Sequence, residues 1–267
     1  MSTSSRPRVS AVIGTWNRAR FLGQAIDSLL EQTLADIELI IADDGSTDET
    51  ADVVRGVGDE RVSYLPGPHA GISVNLNRAI AAARAPYVAL LDSDDWSYRT
   101  RLEKQAAVLE ERPEVAVVGH RLLEVDGDGR ELQPRTTFAS GDVNAALMHF
   151  NPISNSCAMI RRDAVLAVGG FDPSYRCAVD WDLWLRLADT HTIHVLDEAL
   201  GVRRMHHDNI SISREREQVR AGLRTRLATL RRRRSPRGVS GLASAALSLV
   251  TPMRLKRMRR RRLGQAE

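Results

Sequence analysis

The chain has 267 residues, of which 43% are apolar and 27% charged, which fits one large α/β domain with an accessory segment and excludes a disordered chain. The charge is divided unevenly, because residues 214–267 hold 17 of the 38 basic residues and only 3 of the 34 acidic ones. An acidic body is therefore followed by a basic tail. Two cysteines without a Cys-x-x-Cys pair exclude a disulfide-rich scaffold and argue against a structural zinc site.

Apolar strands and amphipathic helices alternate along the first half of the chain. The strands are predicted at 9–13, 37–42, 61–65, 87–91 and 115–118, and the helices at 19–32, from Thr47 onward, at 72–83 and at 102–111. The start of the second helix is predicted from Ser46 and Glu49, which have the spacing of a capping box. The alternation predicts a mainly parallel sheet with helices on both faces, in which ligands bind beyond the carboxyl ends of the strands.

The second half of the chain has a less regular pattern. A hairpin turn is predicted at 126–129, strands at 156–160, 193–196 and 199–203, and helices at 163–168 and 179–188. From Arg214 the composition becomes Arg-rich and helical. We therefore place a domain boundary at residue 213, with an amphipathic, Arg-rich helical tail over 214–267.

Acidic side chains crowd the end of the fourth strand, at Asp92, Asp94 and Asp95. Close like charges repel unless a cation or hydrogen-bond donors neutralise them. Carboxylates suit Mg²⁺ or Mn²⁺, which bind through one or two carboxylates together with substrate phosphates. The cluster favours a metal–diphosphate site; the alternative is a solvated turn before the next helix.

Polar residues also follow the first two strands. Asp44 can accept a hydrogen bond from the N–H of a nucleobase, and Trp16, in the loop after the first strand, can stack on the same base. The alternative is that Asp43, Asp44 and Ser46 only form a turn, where these residue types are favoured.

Two later residues are candidates for catalysis and metal binding. Asp180 stands near a predicted helix start, where it can serve as a general base or simply complement the helix dipole. His206 can be a metal ligand, or one of a solvent-exposed pair with His207.

Each of these signals is weak alone, but their order along the chain is specific. The ordered segments are VSAVIGTWNR (9–18), AIDSLLEQT (25–33), DDGSTD (43–48), LDSDD (91–95), VGGFD (168–172), DWDLWLR (180–186) and RMHHDNIS (204–211). Together they resemble the family 2 glycosyltransferases, which have the GT-A fold, over residues 8–213.

The resemblance implies an inverting transferase that moves a sugar from a nucleotide-diphosphate donor, most often a UDP-sugar, to an acceptor hydroxyl. The residues it assigns to the nucleotide are Thr15, Trp16, Asn17, Arg18, Asp44 and Asp92. It assigns a divalent metal (Mn²⁺ or Mg²⁺) to Asp94 and His206, and the catalytic base to Asp180. Residues 8–119 would form the nucleotide-binding half and 120–213 the acceptor-binding half.

Two positions depart from the family's pattern. Gly14 replaces a frequent Pro, which affects the stiffness of the loop. Val179 replaces the usual Glu before the base, which bears on contacts with the acceptor. The acceptor itself is expected to be a glycan or a lipid-linked molecule of the cell envelope or of a polysaccharide.

Other enzyme classes fit the same motifs less well. A phosphatase of the haloacid-dehalogenase type would carry its Asp-x-Asp after the first strand, and a sugar nucleotidyltransferase would carry a Gly-rich basic loop there. A catalytically weak nucleotide-sugar-binding protein stays open as an alternative.

The basic tail points to an anionic partner. Arg runs at 231–234 and 259–262 bracket an apolar stretch at 239–250 that is too short to span a bilayer. This arrangement favours a membrane surface, where each basic residue contributes ~1 kcal/mol, over nucleic acid, which we do not expect to be a partner. A disordered tail is the alternative. Because residues 1–8 lack an apolar run, we expect no signal peptide and a cytoplasmic protein, peripheral at the inner face of the plasma membrane.

Overall fold

A computed structural model describes residues 6–132, 139–206, 209 and 214–233. Its strands are β1 (Val9–Thr15), β2 (Ile37–Asp43), β3 (Val62–Pro66), β4 (Tyr87–Asp92), β5 (Trp96–Ser97), β6 (Val115–Val125), β7 (Gly141–Asp142), β8 (Met159–Arg161) and β9 (Thr192–Arg204). They form one sheet in the order β3-β2-β1-β4-β8-β6-β9-β5, with β7 paired to β9. Strands β1 to β4, β6 and β9 run in one direction and the others oppose them, which confirms the mainly parallel sheet.

Helices cover both faces of this sheet. They are α1 (Ala19–Leu30), α2 (Thr50–Gly56), α3 (Ile72–Ala82), α4 (Arg101–Glu111), α5 (Arg162–Ala167), α6 (Val179–Leu187) and α7 (Glu215–Arg233). Because side chains alternate along a strand, β1 sends Ala11 and Ile13 into a core with α1, α2 and α4. It sends Val12 into the opposite core, which α3, α5 and α6 cover.

Two local predictions were wrong. Helix α2 begins at Thr50, and Glu49 makes no side-chain cap. The backbone N–H and the hydroxyl of Ser46 donate to Asp43 Oδ1 at 2.9 and 2.6 Å instead, because that carboxylate lies directly beside them. The two strands predicted at 193–196 and 199–203 are one strand, β9. It pairs in parallel with β6. The polar residues between the two predicted segments lie at a shift in register opposite His120 and Arg121 of β6.

Helix α7 packs against α6. A Cβ at Gly222 would lie 2.6 Å from Trp181 Cζ3, so the two helices approach closely at this glycine. Thr225 Oγ1 donates to Asp182 Oδ1 at 2.9 Å, and Arg232 and Arg233 both pair with Asp189. The division at residue 213 stays a prediction, and residues 234–267, which include most of the predicted tail, lie outside the described part of the chain.

Among the described helices, none combines the length and the apolar character that crossing a bilayer requires.

Candidate active site

The three polar clusters predicted from the sequence meet at one edge of the sheet. In the parallel register Thr15 lies beside Asp43, and Gly14 lies beside Asp92, so the ends of β1, β2 and β4 are level. The loops that follow these strands therefore form one continuous surface, as expected for a ligand site in an open α/β sheet.

The loop after β4 concentrates negative charge away from water. Burial and the charge of Asp94 raise the pKa of Asp92 to about 6. Burial, Asp94 and Asp92 raise the pKa of Asp95 well above its ordinary value, although Asp95 Oδ1 accepts the Arg204 backbone N–H at 2.9 Å. Ionising all three carboxylates together is therefore costly, and a bound cation would remove that cost.

Asp94 and His206 are paired across this loop. Nε2 of His206 lies 2.8 Å from Asp94 Oδ2, and both side chains are largely buried. The His206 ring also stacks on Phe21, with ring centroids 5.4 Å apart. The Asp94 carboxylate oxygen suits either Mn²⁺ or Mg²⁺, whereas the His206 imidazole nitrogen suits a transition metal, so the pair favours Mn²⁺ over Mg²⁺. Within the described ranges no group of three or more His, Cys, Asp or Glu side chains forms a complete metal site, so phosphate oxygens and water would have to supply further ligands.

Arg204 holds this part of the site together, although the sequence did not single it out. Its Nη2 donates to Gln24 Oε1 at 2.7 Å, and its guanidinium lies 5.0 Å from the ring centroids of both Phe21 and Trp96. It thereby joins α1 and β5 to the loop that carries Asp94. Its position next to His206 in the RMHHDNIS segment was the available signal.

Asp180 lies in the first turn of α6, directly after a strained segment of backbone. Ala178, the residue that precedes α6, has φ 54° and ψ 31°, a left-handed conformation that costs a non-glycine residue ~1–3 kcal/mol and that occurs preferentially at functional sites. Asp180 Oδ1 accepts the Trp181 backbone N–H at 2.7 Å, and Oδ2 accepts the Asn151 amide at 2.9 Å. Burial raises the pKa of Asp180, although these two donors and the positive charge of Arg203 act to lower it. The charge of Asp180 in turn makes a small contribution to the raised pKa of Asp92.

The predicted nucleotide loop lies beside Asp92, at the end of β1. Asn17 has φ 51°, and its Oδ1 accepts the Thr47 backbone N–H at 2.8 Å. Arg18 precedes α1, and its guanidinium donates to the Asn17 carbonyl at 3.3 Å. The Thr15 hydroxyl is buried and has no partner among the described residues. Asn17 thus fixes this loop against the loop that follows β2, through Thr47 and through Ser46, whose hydroxyl accepts the Asn17 backbone N–H at 2.8 Å.

Asp44 and Trp16 share a neighbour that the sequence did not predict, His69. Trp16 is 47% exposed, and the His69 ring stacks on it with centroids 4.4 Å apart. The Asp44 carboxylate is buried and accepts the backbone N–H groups of Ala70 and Gly71. The structure therefore brings Asp44 and Trp16 together, as expected, but through the loop that precedes α3.

Solved structures with this architecture share the GT-A fold. TarS of S. aureus in complex with UDP superposes with a TM-score of 0.66 at 19% identity, over 84% of this chain and 65% of that chain. The mannosyltransferase PcManGT from Pyrobaculum calidifontis, in complex with GDP-Man and Mn²⁺, gives a TM-score of 0.69 at 18% identity, over 91% of this chain and 70% of that one. The described part of the chain therefore has the GT-A fold.

The family follows from the sequence comparison. The model of glycosyl transferase family 2 matches residues 10–169, and the chain belongs to this family. A putative glycosyltransferase, EpsE of Bacillus subtilis, is 31% identical over 189 residues, which cover 68% of this chain and 67% of EpsE. The chain spans 64% of the length of another relative, an uncharacterized glycosyltransferase of Rickettsia prowazekii.

Proposed function

We propose that this protein is an inverting glycosyltransferase that moves a sugar from a nucleotide-diphosphate donor, a UDP-sugar, to an acceptor hydroxyl. The observation that carries the proposal is the contact of Asp94 with His206 at 2.8 Å, beside Asp92 at the level carboxyl ends of β1, β2 and β4. Asp180, whose charge contributes to the raised pKa of Asp92, is the candidate base for this candidate diphosphate site. The family supports the transferase class, and the UDP complex of TarS supports the donor.

The donor side of the cleft is assigned to the first half of the chain. Trp16 and Asp44 take the base, Thr15, Asn17 and Arg18 line the nucleotide loop, and Asp92 faces the ribose. Asp94 and His206 would hold a divalent metal, whose charge neutralises the negative charge that develops on the leaving diphosphate. The Mn²⁺ in the PcManGT complex supports this choice of cofactor.

Asp180 is assigned the role of general base. Burial raises its pKa, so the carboxylate binds a proton more strongly than an exposed aspartate does. The Asn151 amide, which donates to Oδ2, fixes the orientation of the carboxylate. Asp180 takes the proton of the acceptor hydroxyl while that oxygen attacks the anomeric carbon from the face opposite the diphosphate. A single displacement of this kind inverts the anomeric configuration.

The acceptor we propose is a glycan or a lipid-linked molecule at an anionic membrane. Support comes from α7, where Arg216, Arg220, Leu227 and Arg231 recur at helical spacing and are all exposed. A basic helix face with an apolar side chain suits the surface of an anionic leaflet. The segment 214–267 would then bring the cleft to its acceptor.

Calorimetric titration of UDP and GDP, with Mn²⁺ or with EDTA, tests the proposal. We expect metal-dependent binding of UDP by the wild type and loss of that binding in Asp94→Ala. The matched control is Asp163→Ala, which removes a carboxylate that is 89% exposed on α5. If the folded wild type binds neither nucleotide, the proposed function is wrong.

A further inference from the structure

His69 occupies the place that the proposed function gives to a nucleobase. Its ring lies parallel to Trp16, with centroids 4.4 Å apart and an interplanar angle of 20°. Its Nδ1 lies 2.9 Å from Asp44 Oδ2 and 3.1 Å from the Asp44 carbonyl oxygen. Because both neighbours are acceptors, Nδ1 carries the proton and donates.

A nucleobase would need these same contacts. Its flat face would stack on the exposed indole of Trp16, and its ring N–H would donate to the Asp44 carboxylate. The imidazole of His69 is also a flat aromatic ring with one N–H directed at that carboxylate. Both rings cannot occupy one face of Trp16, so a base and His69 compete.

The backbone around His69 is held without its side chain. The N–H of Ala70 donates to Asp44 Oδ1 at 2.8 Å, and the N–H of Gly71 lies 3.0 to 3.1 Å from both carboxylate oxygens. Gly45, at φ 78°, lets the loop approach so closely that a Cβ there would meet the His69 nitrogen at 2.8 Å. The loop is therefore fixed by its backbone, whereas the His69 side chain is 55% exposed and is held by its contacts with Asp44 and Trp16.

We propose that His69 is an internal competitor for the nucleotide base, a residue that sets nucleotide affinity by occupying the base site in the free protein. The inference rests on the proposed function, since it takes Trp16 and Asp44 as the base site. When a nucleotide binds, the His69 side chain leaves the Trp16 face, while Asp44 keeps its bonds to Ala70 and Gly71. Only molecules in which His69 is turned away from Trp16 can bind the base. The apparent dissociation constant is therefore the dissociation constant of those molecules divided by the fraction that they make up.

The test is calorimetric titration of UDP with Mn²⁺ into the wild type, His69→Ala and His69→Phe. We expect His69→Ala to bind UDP ~3- to 10-fold more tightly, the range that the loss of one competing aromatic stack would give. His69→Phe keeps a ring that can cover Trp16, so its affinity should stay nearer to the wild type than that of His69→Ala. His191→Ala, a substitution just before β9, should leave the affinity for UDP unchanged.

Inorganic pyrophosphate with Mn²⁺ serves as a probe that has no base. Its affinity should be equal in the wild type and in His69→Ala, which separates an effect on the base site from a general change in the cleft. If His69→Ala binds UDP equally well or more weakly, the competitor role is wrong, while the proposed donor site stands. If none of the three proteins binds UDP although all are folded, the donor assignment fails and the inference fails with it.

Discussion

One buried hydrogen bond joins α7 to α6, and its contribution to the free energy of unfolding can be predicted. Thr225 is fully buried, Asp182 is 5% exposed, and the Thr225 hydroxyl donates to Asp182 Oδ1. The other carboxylate oxygen accepts from Arg186 Nε at 2.8 Å. Thr225→Val removes the hydroxyl but keeps the branched shape, so a buried carboxylate oxygen loses its side-chain donor.

A hydrogen bond to a charged group contributes ~1.5–3 kcal/mol, whereas one between neutral groups contributes ~0.5–1.5 kcal/mol. Thr229 provides the matched control one turn later on α7. It is also fully buried, but its hydroxyl donates to a neutral acceptor, the Thr225 carbonyl, at 2.9 Å, and its one charged contact, from Arg232 Nη2, is long at 3.4 Å. We therefore expect Thr225→Val to lower the free energy of unfolding by ~2–3 kcal/mol and Thr229→Val by ~1 kcal/mol or less.

The assay is denaturant unfolding followed by circular dichroism, with the slope of the transition checked for constancy between variants. A cost at Thr225 no larger than that at Thr229 would refute the reasoning. Such a result would favour the boundary at residue 213, with α7 as part of a separate tail. The expected result would instead extend the folded unit through Arg233, because the helix that carries Asp180 would depend on α7.

Three further predictions concern catalysis, pH and partners. Asp180→Asn should lower turnover by ~10²–10⁴ in an initial-rate assay at unchanged UDP affinity, and unchanged turnover would remove Asp180 from its role. Burial and the Arg101 guanidinium lower the pKa of His120 well below its ordinary value, so the unfolded chain binds a proton that the folded one does not. The contribution of His120 to the free energy of unfolding should therefore fall by up to ~1.4 kcal/mol per pH unit below ~6.5, while the raised pKa values of Asp92, Asp95 and Asp180 act in the opposite direction. The difference in free energy of unfolding between the wild type and His120→Gln isolates this contribution, and a difference that does not change with pH would contradict it. Arg216→Ala with Arg220→Ala should weaken cosedimentation with phosphatidylserine vesicles by ~10-fold or more at low salt, and preferential binding to duplex DNA would contradict a membrane partner.

Much of the fold could be predicted because its signals are local. The period of apolar residues identified β1 to β4 and the helices between them, and parallel strands place their carboxyl ends at one edge. The clusters at Thr15, Asp44 and Asp92 were therefore expected to meet. The capping-box prediction failed because a nearby side chain offered a different hydrogen bond: the Ser46 hydroxyl donates to Asp43 instead of capping α2.

The partners of the site residues could not be predicted in the same way. His69 meets Asp44 across 25 residues, Asn151 meets Asp180 across 29, and the Arg204 backbone meets Asp95 across 109. No periodicity links such positions, because each contact depends on how two separate segments approach in the folded chain.

The sequence by itself determined the α/β class, the strand–helix order and the acidic and aromatic residues of the candidate site. Each of these depends only on residue type and on spacing over a few residues. The tertiary structure alone decided that His69 covers Trp16, that Arg204 anchors the Asp94 loop, and that α7 packs against α6. The first and the last of these arrangements depend on close approaches at Gly45 and Gly222, where a side chain would collide with the opposing segment. A glycine permits such a close approach, but the sequence does not show which distant segment will pack against it; only the folded chain shows that.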